Sequence, residues 1–143
     1  PNADTSSRLV IQMIQEFTKK HHQAHIVVNL GTEGYFSIMN YAAAMIGNSS
    51  SGIIEGASFK LPVVNIGSRQ RGRLHGKNVI DVGCSRTEIL AAIERAISPE
   101  FRGFLDDLIN PYGDGHASEQ IVARLKEVDL NDKLIQKRFY KAD

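Results

Sequence analysis

The stretch Met45-Ile46-Gly47-Asn48-Ser49-Ser50-Ser51-Gly52-Ile53-Ile54-Glu55 sets the reading of the chain. Apolar residues from Ala42 to Ile46 stop at Gly47, three serines follow, and Gly52 opens a helix-compatible run over 53–59. Small residues entering a helix present backbone N–H groups and hydroxyls beyond its N-terminus, where the dipole adds about half a unit of positive charge. That is a seat for an anion. Serine and asparagine are equally ordinary caps and turn formers, so the stretch by itself supports both readings.

The next exit from a strand adds to it. Leu61-Pro62-Val63-Val64-Asn65-Ile66-Gly67 reads as a short apolar strand ending at a glycine, followed by Ser68-Arg69-Gln70-Arg71-Gly72-Arg73. The three arginines stand at alternate positions, and each carries a permanent charge on a planar fork that fits phosphate. In open parallel sheets, ligands sit outside the carboxyl ends of the strands. Two such exits, one offering backbone dipoles and one guanidinium, point to a phosphorylated ligand. Arg69, first in its loop, is the best candidate for the contact, with Arg71 and Arg73 more readily read as solvated surface. Glu55 is either a first-turn acid favoured by the dipole or a carboxylate accepting from a ribose diol. Neither loop is a GxxxxGK[ST] or a GxGxxG fingerprint, which argues against a P-loop NTPase or a dinucleotide enzyme.

Bulk properties bound the rest. A chain of 143 residues, 42% hydrophobic and 23% charged, suits one globular domain with a core. The net charge of +1 supports neither nucleic-acid nor membrane-surface binding. The single cysteine, Cys84, excludes an internal disulfide and fits a reducing compartment, so a cytoplasmic location is expected. No apolar run approaches the roughly 20 residues of a membrane helix. The chain begins at Pro1 in a loop-like Pro1-Asn2-Ala3-Asp4 and reads as a piece of something longer.

In order, Asp4 or Thr5 caps a helix with Leu9, Val10, Met13, Ile14 and Phe17 at helical spacing, ending in Lys19-Lys20-His21-His22. His21, His22 and His25 straddle a helix end without a carboxylate or cysteine nearby, and no metal site is expected there. Residues 25–29 read as a buried parallel strand, and 33–44 as a helix with a Met–aromatic core stripe. A strand over 78–83 and an amphipathic helix over 89–97 follow the arginine loop. Phe101, Phe104, Leu105 and Leu108 fit a short helix. Asn110-Pro111-Tyr112-Gly113-Asp114-Gly115 is a dense turn signal, and 117–128 a helix with Ile121, Val122 and Leu125 inward. His75 and His116 are loop histidines with acid–base capacity but no partner legible in the sequence. Strands alternating with helices predict an α/β fold, a parallel sheet with helices on both faces. The expected domain covers 1–128, with 129–143 a polar tail, helical or frayed.

These motifs occur in an order that carries a resemblance. Gly47-Asn48-Ser49-Ser50-Ser51-Gly52 with Glu55, then Pro62 to Gly67 with Arg69-Gln70 and Gly72-Arg73, Asn78 to Val82, and Asn110 to Gly115 are similar to the carboxyl-terminal half of UDP-N-acetylglucosamine 2-epimerases. The likeness covers about 1–124 and is closest to the hydrolysing branch that feeds sialic and related nonulosonic acids. The resemblance implies one Rossmann-like half of a glycosyltransferase-B (GT-B) fold, binding UDP, with no cofactor. Residue by residue, it implies Ser49 and Ser50 on the diphosphate, Glu55 on the ribose, Arg69 near the nucleotide, Asn2 reaching it from its loop, and the backbone at Leu30 on the uracil. It implies that the acidic catalytic residues lie in an amino-terminal half and that no catalytic residue is in this chain, which is expected to bind without turning over. The implied reaction is anti-elimination of UDP from a UDP-N-acetyl sugar, then addition of water to give the 2-epimer, by an enzyme that dimerises. A non-hydrolysing epimerase returning UDP-N-acetylmannosamine is the alternative within the family. A non-catalytic nucleotide-binding module is the alternative outside it.

Overall fold

The computed structural model describes residues 7–136, and the chain divides into two compact units at the Tyr41–Ala42 boundary. In the first unit, α1 (Ser7–Lys20) ends on Lys19 and Lys20, cations placed where the helix carbonyls are unpaired. The second helix, α2 (Gly31–Tyr41), begins and ends earlier than its residue pattern predicts. Asn29 Oδ1 accepts from the Gly31 N–H at 2.8 Å, an Asx turn that starts the helix two residues before Glu33.

Residues 25–29 depart from expectation. No strand forms there, and Ile26, Val27 and Val28 are 46%, 55% and 97% exposed. A strand exists only through the hydrogen bonds of a neighbour, and the described part of this unit contains helices alone. The α1 stripe is likewise exposed, and of the expected Met–aromatic stripe only Met39 is buried.

The second unit holds the sheet. Strands β1 (Met45–Gly47), β2 (Val63–Ile66) and β3 (Val79–Val82) pair in parallel in the order β1-β2-β3, with Gly47 opposite Asn65 and Ile66 opposite Val82. All three strands therefore end at one edge. The fold is α/β, as predicted. Between β1 and β2 lie α3 (Ser50–Ile54) and a 3₁₀ turn, Gly56–Phe59. After β3 come α4 (Arg86–Ile97), α5 (Pro99–Phe104), α6 (Ala117–Glu127) and a single turn, α7 (Asp132–Ile135).

Successive strand residues face opposite sides of a sheet, and β2 uses both. Val64 packs with Ala92 and Ala96 of α4, joined by Ile66, Ile80 and Val82. Val63 faces α3, where Gly52 sits so close that an added Cβ would lie 2.8 Å from Val63 Cγ1 and 3.3 Å from Met45 Sδ. Helices thus cover both faces. We expect Gly52→Ala to destabilise the protein by about 1–2 kcal/mol in urea denaturation, overpacking outweighing the helical gain of about 1 kcal/mol from alanine. A stabilised variant would refute that packing.

Two further helices behave differently. α5 starts cleanly, with the Ser98 hydroxyl accepting from the Phe101 N–H and Pro99 in the first turn. It buries Phe101, and Leu105 just beyond it. The α6 helix forms, but Ile121, Val122 and Leu125 are exposed rather than inward, and no residue of α6 is buried. Its amphipathic pattern specifies a helix without supplying a surface to cover it. Of the polar tail, 129–136 is described and only α7 is regular; 137–143 lies outside the described residues.

Past α5, Asp107 pairs with Lys77, which holds its carboxyl below the ordinary value. A depressed folded pKa stabilises above the unfolded value and is lost as pH falls through the folded one. Wild type and Asp107→Asn are therefore expected to differ slightly in Tm near neutrality and to converge in acid.

Candidate functional site

The carboxyl edge of the sheet carries three loops, at 48–49, 67–78 and 83–85. In the first, Ser49 is the N-cap of α3 with extended backbone, and its Oγ accepts from the Ser51 N–H at 3.3 Å. Ser50 and Ser51 therefore belong to the first turn of the helix rather than to a loop before it. α3 has five residues, too short for the full macrodipole assumed from the sequence. What remains is local: first-turn N–H groups and serine hydroxyls clustered at a strand exit.

Glu55 caps the other end of α3, its N–H bonded to Ser51 O at 2.9 Å. Its Oε2 is buried with no hydrogen-bond partner among the described residues. An orphaned buried acceptor costs free energy unless a donor reaches it. A ligand hydroxyl is such a donor, which favours the ribose reading of Glu55 over that of a dipole-stabilising acid.

The second loop is tied to the first. Gln70, 4% exposed, donates from Nε2 to Asn48 O at 2.8 Å. Within the loop, Arg71 N–H bonds Ser68 O at 3.0 Å and Arg73 N–H bonds Gln70 O at 3.2 Å, so Arg69 rides on a consecutive pair of turns. Gly67 enters them at φ +79°, a left-handed conformation that favours glycine. Arg69 is exposed and belongs to the same edge as Ser49 and Ser50.

The Asn110 turn is tied to both α3 and the arginine loop. Asn110 Nδ2 donates to Ile54 O at 2.8 Å and to Ser58 Oγ at 2.7 Å, pinning the end of α3. Tyr112 Oη donates to Leu74 O at 2.9 Å, pinning the end of the arginine loop. Gln70, Asn110 and Tyr112 had no assigned role in the sequence, since a side chain bonding a distant carbonyl leaves no spacing signature.

The structure thus brings Ser49, Ser50, Glu55 and Arg69 into one unit around α3 and the adjoining loop. Leu30 belongs to the first unit, exposed, in a shallow cavity of about 540 Å³ lined by Val27 to Thr32 and Tyr35. Asn2 lies outside the described residues. Among the described residues no cluster of His, Cys, Asp and Glu fits a metal.

The family profile described as UDP-N-acetylglucosamine 2-epimerase matches residues 1–126. The chain belongs to that family. Within it, the chain is 38% identical over 96% of its length to a UDP-N,N'-diacetylbacillosamine 2-epimerase (hydrolyzing) of Legionella pneumophila, covering 35% of that protein. It is 44% identical over 71% of its length to a GDP/UDP-N,N'-diacetylbacillosamine 2-epimerase (hydrolyzing) of Campylobacter jejuni, covering 26%. It is 32% identical over 97% of its length to Polysialic acid biosynthesis protein P7 of Escherichia coli, covering 35%. The chain spans about a quarter to a third of the length of these epimerase-family relatives.

Proposed function

We propose that this chain is the UDP-binding part of a hydrolysing 2-epimerase acting on a UDP-N-acetyl sugar, one Rossmann-like half of a GT-B enzyme. The observation that carries the reading is the Gln70–Asn48 bond, which holds the arginine loop against the serine turn at the edge where the strands end. First-turn amides and the Ser49 and Ser50 hydroxyls take the diphosphate, Arg69 adds a fixed charge, and Glu55 Oε2 accepts from the ribose. The uracil role of the Leu30 backbone and the nucleotide role of Asn2 rest on the family resemblance alone.

The chemistry asked of such a seat is stabilisation of a leaving group. As the C1–O bond of the sugar breaks, negative charge grows on the diphosphate, and preorganised donors gain most where charge develops. The base that removes the C2 proton and the group that directs water belong to the other half of the enzyme. Water then adds, giving free UDP and the 2-epimerised N-acetyl sugar. Two of the relatives bear the name hydrolyzing, which favours this outcome over return of a UDP-sugar. The relative named for polysialic acid biosynthesis favours a product that feeds sialic and related nonulosonic acids. A cytoplasmic location and a dimeric enzyme are further parts of the proposal.

Product analysis on the longer enzyme tests the reading. Incubated with UDP-N-acetylglucosamine or its diacetylbacillosamine counterpart, the enzyme is expected to release UDP and reducing sugar in equal amounts. The 2-epimer recovered still attached to UDP, with no free sugar, would establish the non-hydrolysing alternative. Arg69→Ala is expected to lower UDP affinity roughly tenfold or more, the worth of a charge-assisted contact.

A further inference from the structure

A second constellation lies at the same edge of the sheet and shares no residue with the nucleotide seat. A cavity of about 900 Å³ opens where β2 and β3 end, lined by Ser68, Arg71 and His75 of the arginine loop, Asp81 of β3, and Glu88 and Arg95 of α4. Its charges are unevenly committed. Asp81 Oδ1 accepts from Asn65 Nδ2 at 2.6 Å, and Oδ2 faces His75 Nδ1 at 3.4 Å. Glu88 Oε2 accepts from the Gly83 N–H at 3.1 Å. Both carboxylates are thus engaged by the framework. Among the described residues neither arginine is in an ion pair; Arg95 lies over the Phe101 ring at 5.2 Å, a contact that leaves the edges of its guanidinium fork available.

We propose that this cavity binds a small oxyanion, a carboxylate or phosphate group, on Arg71 and Arg95 with the Ser68 hydroxyl as a further donor. Guanidinium forks pair with two oxygens at once. His75 Nδ1 lies 3.4 Å from Asp81 Oδ2, and Asn65 holds the other oxygen of that carboxylate, which places the ring at the cavity. The bonds to Asn65 and Gly83 fix where Asp81 and Glu88 stand without cancelling their charge, so the two guanidinium groups must outweigh them. Arg71 is therefore a binding residue, where its sequence position read as solvated surface.

The test is an NMR titration of the isotopically labelled chain with inorganic phosphate, read at the His75 ring, the Ser68 amide and the Arg71 side chain. Saturable shifts at these groups are expected, with phosphate affinity at least tenfold weaker in Arg71→Gln and in Arg95→Gln, both of which retain dispersed spectra. Acetate in the same titration separates the sources: saturation by phosphate alone assigns a phosphate ester, and saturation by both assigns an oxyanion in general. Phosphate shifts confined to 48–51, or full affinity in both variants, would overturn the proposal. UDP driving His75 and Ser68 to the same end point would also overturn it, by making the cavity part of the nucleotide seat. If UDP shifts nothing while phosphate shifts His75, the nucleotide reading fails and this site stands.

Discussion

Truncating Ile53 to alanine is expected to cost about 2–5 kcal/mol of stability, the range for deleting three buried carbons from a site that cannot collapse. Ile53 is fully buried in α3, one residue after the glycine that contacts Val63. The neighbourhood is fixed by the sheet on one side and by the Asn110 bonds to Ile54 and Ser58 on the other. Neither wall is free to move in. A cost of that size is a large share of the roughly 5–15 kcal/mol that holds a domain folded. Chemical denaturation of Ile53→Ala and Ile53→Val reads it, the valine being expected to cost about 1 kcal/mol. A cost below 1 kcal/mol for the alanine would mean that α3 is not anchored as described. Because Ser49, Ser50 and Glu55 flank this side chain, the loss is also a loss of the site.

Replacing Gln70 separates positioning from folding. Gln70→Glu keeps the shape but cannot donate to Asn48 O, and it sets a carboxylate against a carbonyl in a buried place. Gln70→Leu removes the donor and also the Oε1 atom, which is buried without a partner among the described residues. Deleting an orphaned acceptor offsets part of what the lost bond costs, so the leucine variant is expected to stay folded. Both variants are expected to bind UDP at least tenfold more weakly, since the loop bearing Arg69 is no longer held to the serine turn. Gln70→Leu binding UDP like the wild type would show that the two loops are placed independently.

Much of this was legible in the residues. Strands 63–66 and 79–82 are apolar runs closed by turn residues, and their alternation with helices sufficed for a parallel α/β fold. What failed did so for want of partners. A continuous apolar run such as 25–29 states that it is fit for burial, not that a neighbour is present to pair with it. Helix α6 has the right period, yet exposes its stripe. The same limit hid Gln70 and Arg71. One is defined by a carbonyl 22 residues away, and the other by a cavity that β3 and α4 help to form.

The most direct test of the central claim is a titration of the labelled chain with UDP, with AMP as control. Amide shifts over 49–55 and at Arg69 are expected to saturate with UDP and to be absent with AMP. A spectrum unchanged there at saturating UDP, or one that AMP changes equally, would contradict that claim.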